Sequence, residues 1–226
     1  MAASAKGLNL WWQGENWELW PDKVLYWPRR QALLLADTHF GKVSHFRKAG
    51  MGVPPQAALG DFHKLEQLLE RESLREVYFL GDLFHSELNT EWMVLQKLLR
   101  KTPQVDFHLI AGNHDILHDD SYLRLGLRVH QEPYPVDHLW LRHHPVEDET
   151  DRQASICGHI HPGVRLRGMG RQSIKLASFY FRPLRAILPA FGEFTGMHVM
   201  PVKRQSTVAV TDCKKVWLAH RGLEDS

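Results

Sequence analysis

The side chains that could act together in one chemical site lie in five short polar motifs, each directly after an apolar run. An apolar run that stops at a polar residue or a glycine is typical of the end of a buried strand. One such motif would be a weak signal, because asparagine, histidine and aspartate also suit a turn or a helix cap. Five of them predict one shared site. In chain order the motifs are Asp37-Thr38-His39, Gly81-Asp82, Gly112-Asn113-His114-Asp115, His143-His144-Pro145 and Gly158-His159-Ile160-His161.

The donor groups in these motifs are carboxylates, imidazoles and an amide, which suit a hard or borderline divalent metal ion. Asp37 and His39 are two residues apart. His159 and His161 have the same spacing, and on an extended segment residues two apart share a face. Asp82 follows a glycine that permits close backbone approach, so its carboxylate could bridge two ions about 3.5–4 Å apart. The spacing therefore predicts a two-metal site.

Length and composition indicate a single domain over residues 1–226. Apolar residues make up 43% of the sequence and charged residues 24%, as in ordinary globular proteins. No apolar run reaches the roughly 18 residues of a membrane span, and the first ten residues lack the pattern of a signal peptide. We therefore expect a cytoplasmic protein without membrane association. Cys157 and Cys213 fit a reducing compartment, and we expect both thiols to be buried and unreactive.

Hydrophobic periodicity predicts an α/β fold. A helix is expected after Pro54-Pro55, where apolar residues from Ala58 to Leu69 recur at helical spacing, and a second one at Trp92–Leu99. With the intervening strands this gives the order β, α, β, α, β, which is typical of a layered core with ligands at strand carboxyl ends. After Asp115 only short strands are predicted, so two sheets packed face to face with helices outside would house both halves. The predicted strands are 10–12, 18–20, 23–27, 31–36, 77–80, 105–111, 139–142, 155–157, 164–167, 173–176, 185–188, 207–210 and 216–219.

The charged residues are unevenly distributed, although the net charge is only +2. The segment from Arg152 to Gly192 contains no Asp or Glu. Such a segment is usually a solvated face, but beside a metal site it would also attract an anionic substrate. Both interpretations stay open at this point. Its basic residues are Arg152, Arg165, Arg167, Arg171, Lys175, Arg182 and Arg185.

The order of the five motifs resembles that of the calcineurin-like metallophosphoesterases, from residue 37 to residue 161. The resemblance implies two packed mixed β-sheets flanked by helices in a four-layer sandwich, with two metal ions that share Asp82. His143 is the expected ligand and His144 the alternative, because the family's histidine commonly stands two residues before the proline. The implied ligands are Asp37, His39, Asp82 and His161 for the first metal, and Asp82, Asn113, His143 and His159 for the second.

Further segments resemble the ligase-associated DNA endonucleases within this family and extend the match to nearly the whole chain. That subfamily occurs in bacterial repair gene clusters with a DNA ligase, a helicase and an exonuclease, which implies a DNA substrate and functional association with those proteins. Thr38 stands where leucine is commoner and Met197 where a second glycine is usual, which bears on substrate preference alone. The segments are Ala36-Asp37-Thr38-His39-Phe40-Gly41-Lys42, Phe46-Arg47 with Gly50, Val53-Pro54, Cys157-Gly158-His159-Ile160-His161-Pro162, Leu188-Pro189-Ala190-Phe191-Gly192 and Phe194-Thr195-Gly196.

The activity implied by the resemblance is binuclear-metal-dependent hydrolysis of a phosphodiester by a DNA endonuclease, and we expect single-stranded DNA as the substrate. Two ions would grip the phosphate and lower the pKa of a bridging water. His114 would protonate the leaving oxygen, and Asp115 would either orient that imidazole or cap a helix. Manganese is the expected metal, with zinc, iron and nickel as alternatives. The predicted substrate contacts are Lys42, Arg47, Arg165, Arg167 and Arg171.

Other functions would use the same core. One is a phosphodiesterase or phosphatase acting on a small nucleotide or a phosphoprotein. Two divalent ions with Asp37 and Asp82 leave a charge of about +2. This matches one diester and one hydroxide better than a dianionic monoester, so the charge balance favours a phosphodiesterase over a phosphatase. Another is a non-catalytic scaffold, but such proteins tend to lose ligands or the catalytic histidine, and His114 is present. A nucleic-acid-binding module with a structural metal is disfavoured, because structural sites are usually thiolate-rich.

Overall fold

Two mixed β-sheets pack face to face in the computed structural model of the chain, and helices cover the outer face of the first sheet. The predicted α/β fold of two packed mixed sheets is confirmed, and the helices with described bounds lie on the first sheet. The structure describes residues 7–43, 46, 50, 52, 59–71, 73–84, 90–146, 152–168 and 172–222.

The first sheet has seven strands, whose order in space is their order in the chain. They are β1 (Leu8–Trp12), β2 (Glu15–Trp20), β3 (Val24–Trp27), β4 (Ala32–Ala36), β5 (Glu76–Leu80), β6 (Asp106–Ile110) and β7 (Leu127–His130). The strands β1 to β4 are antiparallel, with a 3-10 turn at Pro28–Arg30 before β4, whereas β4 to β7 are parallel. In β4, Leu33 and Leu35 face the helices, while Leu34 and Ala36 face the second sheet. Both faces are thus buried, which explains the continuous apolar run.

The second sheet has nine strands in the order β14-β11-β12-β13-β10-β9-β8, and β15 joins it by pairing with β12 and β16. They are β8 (Tyr134–Val136), β9 (Leu139–Leu141), β10 (Ser155–Cys157), β11 (Pro162–Arg167), β12 (Ser173–Arg182), β13 (Arg185–Ile187), β14 (His198–Val199), β15 (Thr207–Thr211) and β16 (Val216–His220). The strand β10 is parallel to both β9 and β13. Phe179 and Phe181 of β12 are buried between the sheets.

Three α-helices lie wholly within the described part of the chain: α1 (Gly60–Arg71), α2 (Thr90–Arg100) and α3 (Asp119–Leu125). They pack on the outer face of the first sheet, through residues such as Leu65 of α1, Leu95 of α2 and Tyr122 of α3. Each fully buried side chain of this size stabilises the fold by roughly 1.5–3 kcal/mol. None of these helices has the length and hydrophobicity needed to span a bilayer. On the outer face of the second sheet, Val164 and Tyr180 are covered by residues outside any helix, Met200 and Trp217.

Three expectations about local structure need correction or stay open. The helix α3 was not expected after Asp115; it is only seven residues long, too short to show apolar periodicity, but it ends at Gly126 in the left-handed conformation typical of a helix end. Cys213 is exposed, whereas Cys157 is buried and its burial raises the pKa of the thiol. The expected helix start after Pro54-Pro55 lies outside the described residues.

Candidate metal centre

The polar motifs meet where strands of both sheets end. Asp37 follows β4, Asp82 follows β5 after one glycine, and Asn113 follows β6. Since these strands are parallel, their carboxyl ends lie at the same edge of the first sheet. The second sheet supplies His143 after β9 and His159 after β10. Among the described residues, three groups have ligand atoms within 4.8 Å of one another: Asp37, His39 and His161; Asp37, Asp82 and His143; and His143, His144 and His159.

Five of the seven predicted ligands have a left-handed backbone. A non-glycine residue in this region costs on the order of 1–3 kcal/mol and persists where the surrounding structure holds it. Such residues cluster at functional sites. The fold therefore places these donors against their local conformational preference. Their φ angles are 52° for Asp37, 44° for His39, 52° for Asp82, 67° for His159 and 52° for His161.

The four residues predicted to bind the first metal lie together. The Nε2 atom of His161 is 3.3 Å from Oδ1 of Asp37, which is fully buried. The Nε2 atom of His39 is 3.7 Å from Oδ2 of Asp82. Both pairs are donor atoms of metal ligands facing each other, so one cation could contact all four residues.

The residues predicted to bind the second metal form a neighbouring group. The Nε2 atom of His143 is 3.0 Å from Oδ1 of Asn113 and 3.0 Å from Nδ1 of His159. The same nitrogen is 3.5 Å from Oδ1 of Asp82. Asp82 therefore presents Oδ1 to the second group and Oδ2 to His39 in the first. This is the arrangement expected of a carboxylate that bridges two ions.

The donors fit divalent ions. Within the described residues, Oδ1 of Asp37 and Nε2 of His161 are buried and have no hydrogen-bond partner. Burial and the neighbouring His143 and His144 rings lower the pKa of His159, which favours the neutral imidazole that binds metals. Oxygen and imidazole donors without a thiolate suit manganese, iron, nickel or zinc. The first group would hold one ion and the second group the other, with Asp82 between them.

The geometry favours His143 over His144 as a ligand. His143 is fully buried, and its Nδ1 lies 3.1 Å from the carbonyl oxygen of Leu80. A proton on Nδ1 would be donated to that oxygen and would leave Nε2 for a metal ion. The His144 side chain is 45% exposed, and its Nδ1 is 2.5 Å from Oε1 of Glu132. His144 thus lies beside the second group, with its Nδ1 engaged elsewhere.

Asp115 has a structural role that the sequence did not suggest. Its carboxylate accepts the backbone N–H groups of Asp82 at 2.8 Å, Leu83 at 3.0 Å and Gly112 at 2.9 Å. It does not cap α3, whose N-cap residue is His118. Its orientation of the His114 ring stays a prediction. Burial raises the pKa of Asp115 to about 6, and the three amides oppose that shift. Asp115 fixes the turns that follow β5 and β6.

His114 and Lys42 lie at the edge of the metal centre. The backbone N–H of His114 donates to Oδ1 of Asp82 at 3.0 Å, and the exposed imidazole lies 5.7 Å from the ring of His39, measured between ring centroids. Burial lowers the pKa of Lys42, while the charges of Asp37 and Asp82 oppose that shift. His114 is therefore on the first-metal side, and Lys42 is close enough to interact with both carboxylates.

The remaining predicted substrate contacts are farther from the donors. Arg165 and Arg167 are exposed on β11, which starts directly after His161. Arg47 and Arg171 lie outside the described residues. The structure thus joins all seven predicted ligands, His114 and Lys42 in one place and sets Arg165 and Arg167 on an adjoining strand.

Two supporting features were not predicted. Glu132 contacts the His143-His144 segment through both carboxylate oxygens. No motif marks it, because two of its three partners are backbone amides. The second feature is the segment at Gly192, whose N–H donates to the carbonyl oxygen of Asp37 at 3.3 Å. A Cβ atom at Gly192 would lie 2.6 Å from the carbonyl oxygen of Thr38, so the glycine itself is the available sequence signal.

Comparison with known proteins agrees with this geometry. The sequence profile of the calcineurin-like phosphoesterases matches residues 31–188, which is more than half of the chain. The chain belongs to this family. The phosphoesterase shares 26% sequence identity with the crystal structure of Pseudomonas putida nuclease MPE, with a TM-score of 0.76 over 94% of this chain and 100% of the nuclease. No curated protein is significantly similar in sequence.

A second solved structure is too dissimilar to support an argument. It is a single-substitution variant of Vps29 from Entamoeba histolytica, with 15% identity and a TM-score of 0.37 over 85% of this chain and 99% of Vps29. The family and the similarity to a nuclease show that the protein is a metal-dependent phosphoester hydrolase. Which residue binds which ion stays a prediction.

Gly81→Ala should remove the second metal selectively. Its new Cβ would lie 2.1 Å from Nδ1 and 2.4 Å from Cγ of His143, so the ring must move. Gly14→Ala is a matched control, because Gly14 has φ +72° against +76° for Gly81 and nothing within 4 Å of its Cβ position. Calorimetric titration of the metal-free proteins with Mn²⁺ should show a loss of about 10–100-fold in one of two affinities for Gly81→Ala alone. Two parent-like affinities in Gly81→Ala would contradict the placement of His143 in the site.

Proposed function

We propose that this phosphoesterase is a manganese-dependent endonuclease that cuts single-stranded DNA in the cytoplasm during DNA repair. The observation that carries the proposal is a row of basic residues along the β11–β12 hairpin, whose first strand starts directly after His161. We name Arg165, Arg167 and Lys175 the basic arm. A row of cations beside a phosphodiesterase centre suits a polyanionic substrate.

The strand register places the basic arm beyond the edge of the second sheet. Residues 180–182 of β12 pair with β13, whereas residues 173–177 pair with β11. The hairpin therefore continues past the carboxyl end of β13. At about 3.3 Å per residue, Arg167 lies about 20 Å along the chain from His161. A small diester at the ions could not reach that far, whereas a nucleic acid strand could.

The basic arm lies on the hairpin face that continues the face buried between the sheets. Arg165 pairs with Lys175, so the two side chains share a face. Lys175 is an even number of residues from Phe179, which is buried between the sheets. All three basic residues are exposed. They continue the side of the second sheet that faces the first sheet, whose edge carries Asp37 and Asp82.

The recessed donors favour a single strand over a duplex. Asp37 and His143 are fully buried, whereas Asn113 and His114 are exposed. A phosphate would therefore approach from the side of Asn113 and His114. Duplex DNA is stiff, with a persistence length of about 150 base pairs, whereas a single strand can bend its backbone into a recess. Flexible DNA is thus the better geometric match.

The residues have distinct roles in the proposed reaction. When bound, the two ions would supply Lewis-acid stabilisation of the phosphate and of the attacking water. His114 would protonate the leaving alkoxide oxygen from the first-metal side. Lys42 would add positive charge near the phosphate, and the basic arm would hold neighbouring phosphates. The mixed carboxylate, amide and imidazole set supports manganese, with zinc, iron and nickel as alternatives.

The repair context rests on the resemblance to ligase-associated endonucleases, which occur with a ligase, a helicase and an exonuclease. Those enzymes would consume or supply nicked and single-stranded DNA. A functional association with them is part of the proposal.

Circular single-stranded DNA tests the proposal directly. Metal-free protein reconstituted with Mn²⁺ should convert the circle to linear fragments, since an endonuclease needs no free end. Mg²⁺, Zn²⁺ and Ni²⁺ should be compared at equal occupancy, and electrophoresis distinguishes the products. Cleavage of linear strands alone would indicate an exonuclease. A protein that binds two ions and hydrolyses a phosphomonoester but no phosphodiester would be a phosphatase.

His114→Ala should keep both ions but reduce DNA cleavage by about 10²–10⁴-fold, because a general acid protonates a poor leaving group without holding the metals. The loss should be smaller for an activated aryl diester, whose phenolate leaves without a proton. His63→Ala, which removes an exposed imidazole on α1, is the control. Equal losses of kcat on both substrates would rule against the acid role.

Neutralising the basic arm should weaken DNA cleavage and spare a small diester. The variant Arg165→Ala/Arg167→Ala/Lys175→Ala should lower the slope of log binding constant against log salt by about 0.7 for each lost phosphate contact. The control Lys203→Ala/Arg204→Ala/Arg221→Ala removes the same charge from exposed positions near Thr207, which pairs with Phe181 at the far end of β12. An unchanged ratio of DNA to small-diester activity in the first variant would favour a small-nucleotide phosphodiesterase.

A further inference from the structure

Glu132 lies in the connection between β7 and β8 and reaches the segment that carries His143. Its Oε2 accepts the backbone N–H of His143 at 2.7 Å and that of His144 at 2.9 Å. Its Oε1 lies 2.5 Å from Nδ1 of His144. One carboxylate thus has three partners on two adjacent residues.

We infer that Glu132 is a positioning residue for the second metal, because it fixes the main chain from which His143 reaches the ion. The inference rests on the metal-dependent phosphodiesterase function proposed for this site. It assigns Glu132 no contact with the metal or the substrate. Its effect passes through the backbone of His143.

The main chain of His143 is tied on both sides. Its N–H donates to Glu132, and its carbonyl oxygen accepts the N–H of Gly158 at 3.2 Å. Gly158 directly precedes His159, the other imidazole of the second group. The bond to Gly158 links the main chain of His143 to that of His159, and Glu132 holds the N–H of His143. Without this bond, His143 could shift relative to His159.

A small shift of His143 would affect the site, because its ring is closely enclosed. One ring nitrogen faces the carbonyl oxygen of Leu80 at 3.1 Å, and the other is 3.0 Å from Oδ1 of Asn113. Only a glycine at position 81 leaves room for the ring, since a Cβ there would lie 2.1 Å from Nδ1. Metal binding needs ligands held close to their productive geometry, and residues that support the ligands commonly change metal affinity about 10–100-fold.

Glu132 is not itself placed as a ligand. Both of its oxygens are engaged with the His143-His144 segment. It is also absent from the groups of described residues whose donor atoms converge within 4.8 Å. The carbonyl oxygen of a glutamine could accept both backbone N–H groups that Oε2 accepts now. The backbone contact, and not the negative charge, is therefore the feature to test.

The test uses Glu132→Ala and Glu132→Gln in the full chain, with metal-free protein titrated with Mn²⁺. Glu132→Ala should lose about 10–100-fold in affinity at the second metal and keep the first. Glu132→Gln should bind both ions nearly as the parent does. His144→Ala, which removes the ring contact but keeps both backbone bonds, should also retain both ions. Electron paramagnetic resonance at two equivalents of Mn²⁺ should show spin-coupled pairs in all of these proteins except Glu132→Ala.

Two parent-like affinities and a coupled spectrum in Glu132→Ala would overturn the inference. Equal loss of both metals in Glu132→Ala and Glu132→Gln would also overturn it, by showing a general structural role. If Glu132→Ala fails to fold, Glu132→Asp, which retracts the carboxylate, should show a weakened second affinity, and parent-like binding there would overturn the inference. These measurements need no DNA. The parent's action on circular DNA tests the proposed function separately.

Discussion

Asp82 ties four of the five polar motifs together, and the arrangement of the metal centre depends on it. Its carbonyl oxygen accepts the N–H of His39 at 2.9 Å, and its own N–H donates to Asp115 at 2.8 Å. Its Oδ1 accepts the N–H of His114 at 3.0 Å and lies 3.5 Å from Nε2 of His143. These partners follow different strands, so one residue after β5 sets their relative positions. A displacement of β5 would disturb both groups of donors at once.

The centre is shared between the two sheets, which makes it sensitive to how they pack. The first sheet contributes Asp37, Asp82 and Asn113 at its edge, whereas His143 and His159 come from the second sheet. The apolar core between the sheets therefore does more than stabilise the fold, because it sets the distance between oxygen and imidazole donors. A cavity in this core would shift the metal-binding side chains relative to one another, since close-packed interiors transmit displacement.

The donors and the two sheets could be predicted from the sequence, because residue type at strand ends and hydrophobic periodicity are local signals. The roles of Asp115 and Glu132 could not. Their carboxylates bind backbone amides of segments up to 33 residues away, and any residue supplies an amide. The sequence showed a segment rich in basic residues and free of acidic ones. The position of the basic arm relative to the metal centre follows from the strand register. The substrate contacts assigned to Lys42, Arg47, Arg165, Arg167 and Arg171 stay predictions.

The left-handed donors have a thermodynamic consequence. Five residues held in a costly conformation lower the stability of the folded chain, and their carboxylates and imidazoles face one another at short range. Ions that bind only the folded state stabilise it by linkage, by about 2.7 kcal/mol when the free metal exceeds its Kd about 100-fold. For a chain of this length, each 1 kcal/mol raises Tm by roughly 2–4 °C. Metal supply would thus affect how long the protein resists unfolding and proteolysis, as well as its catalytic rate.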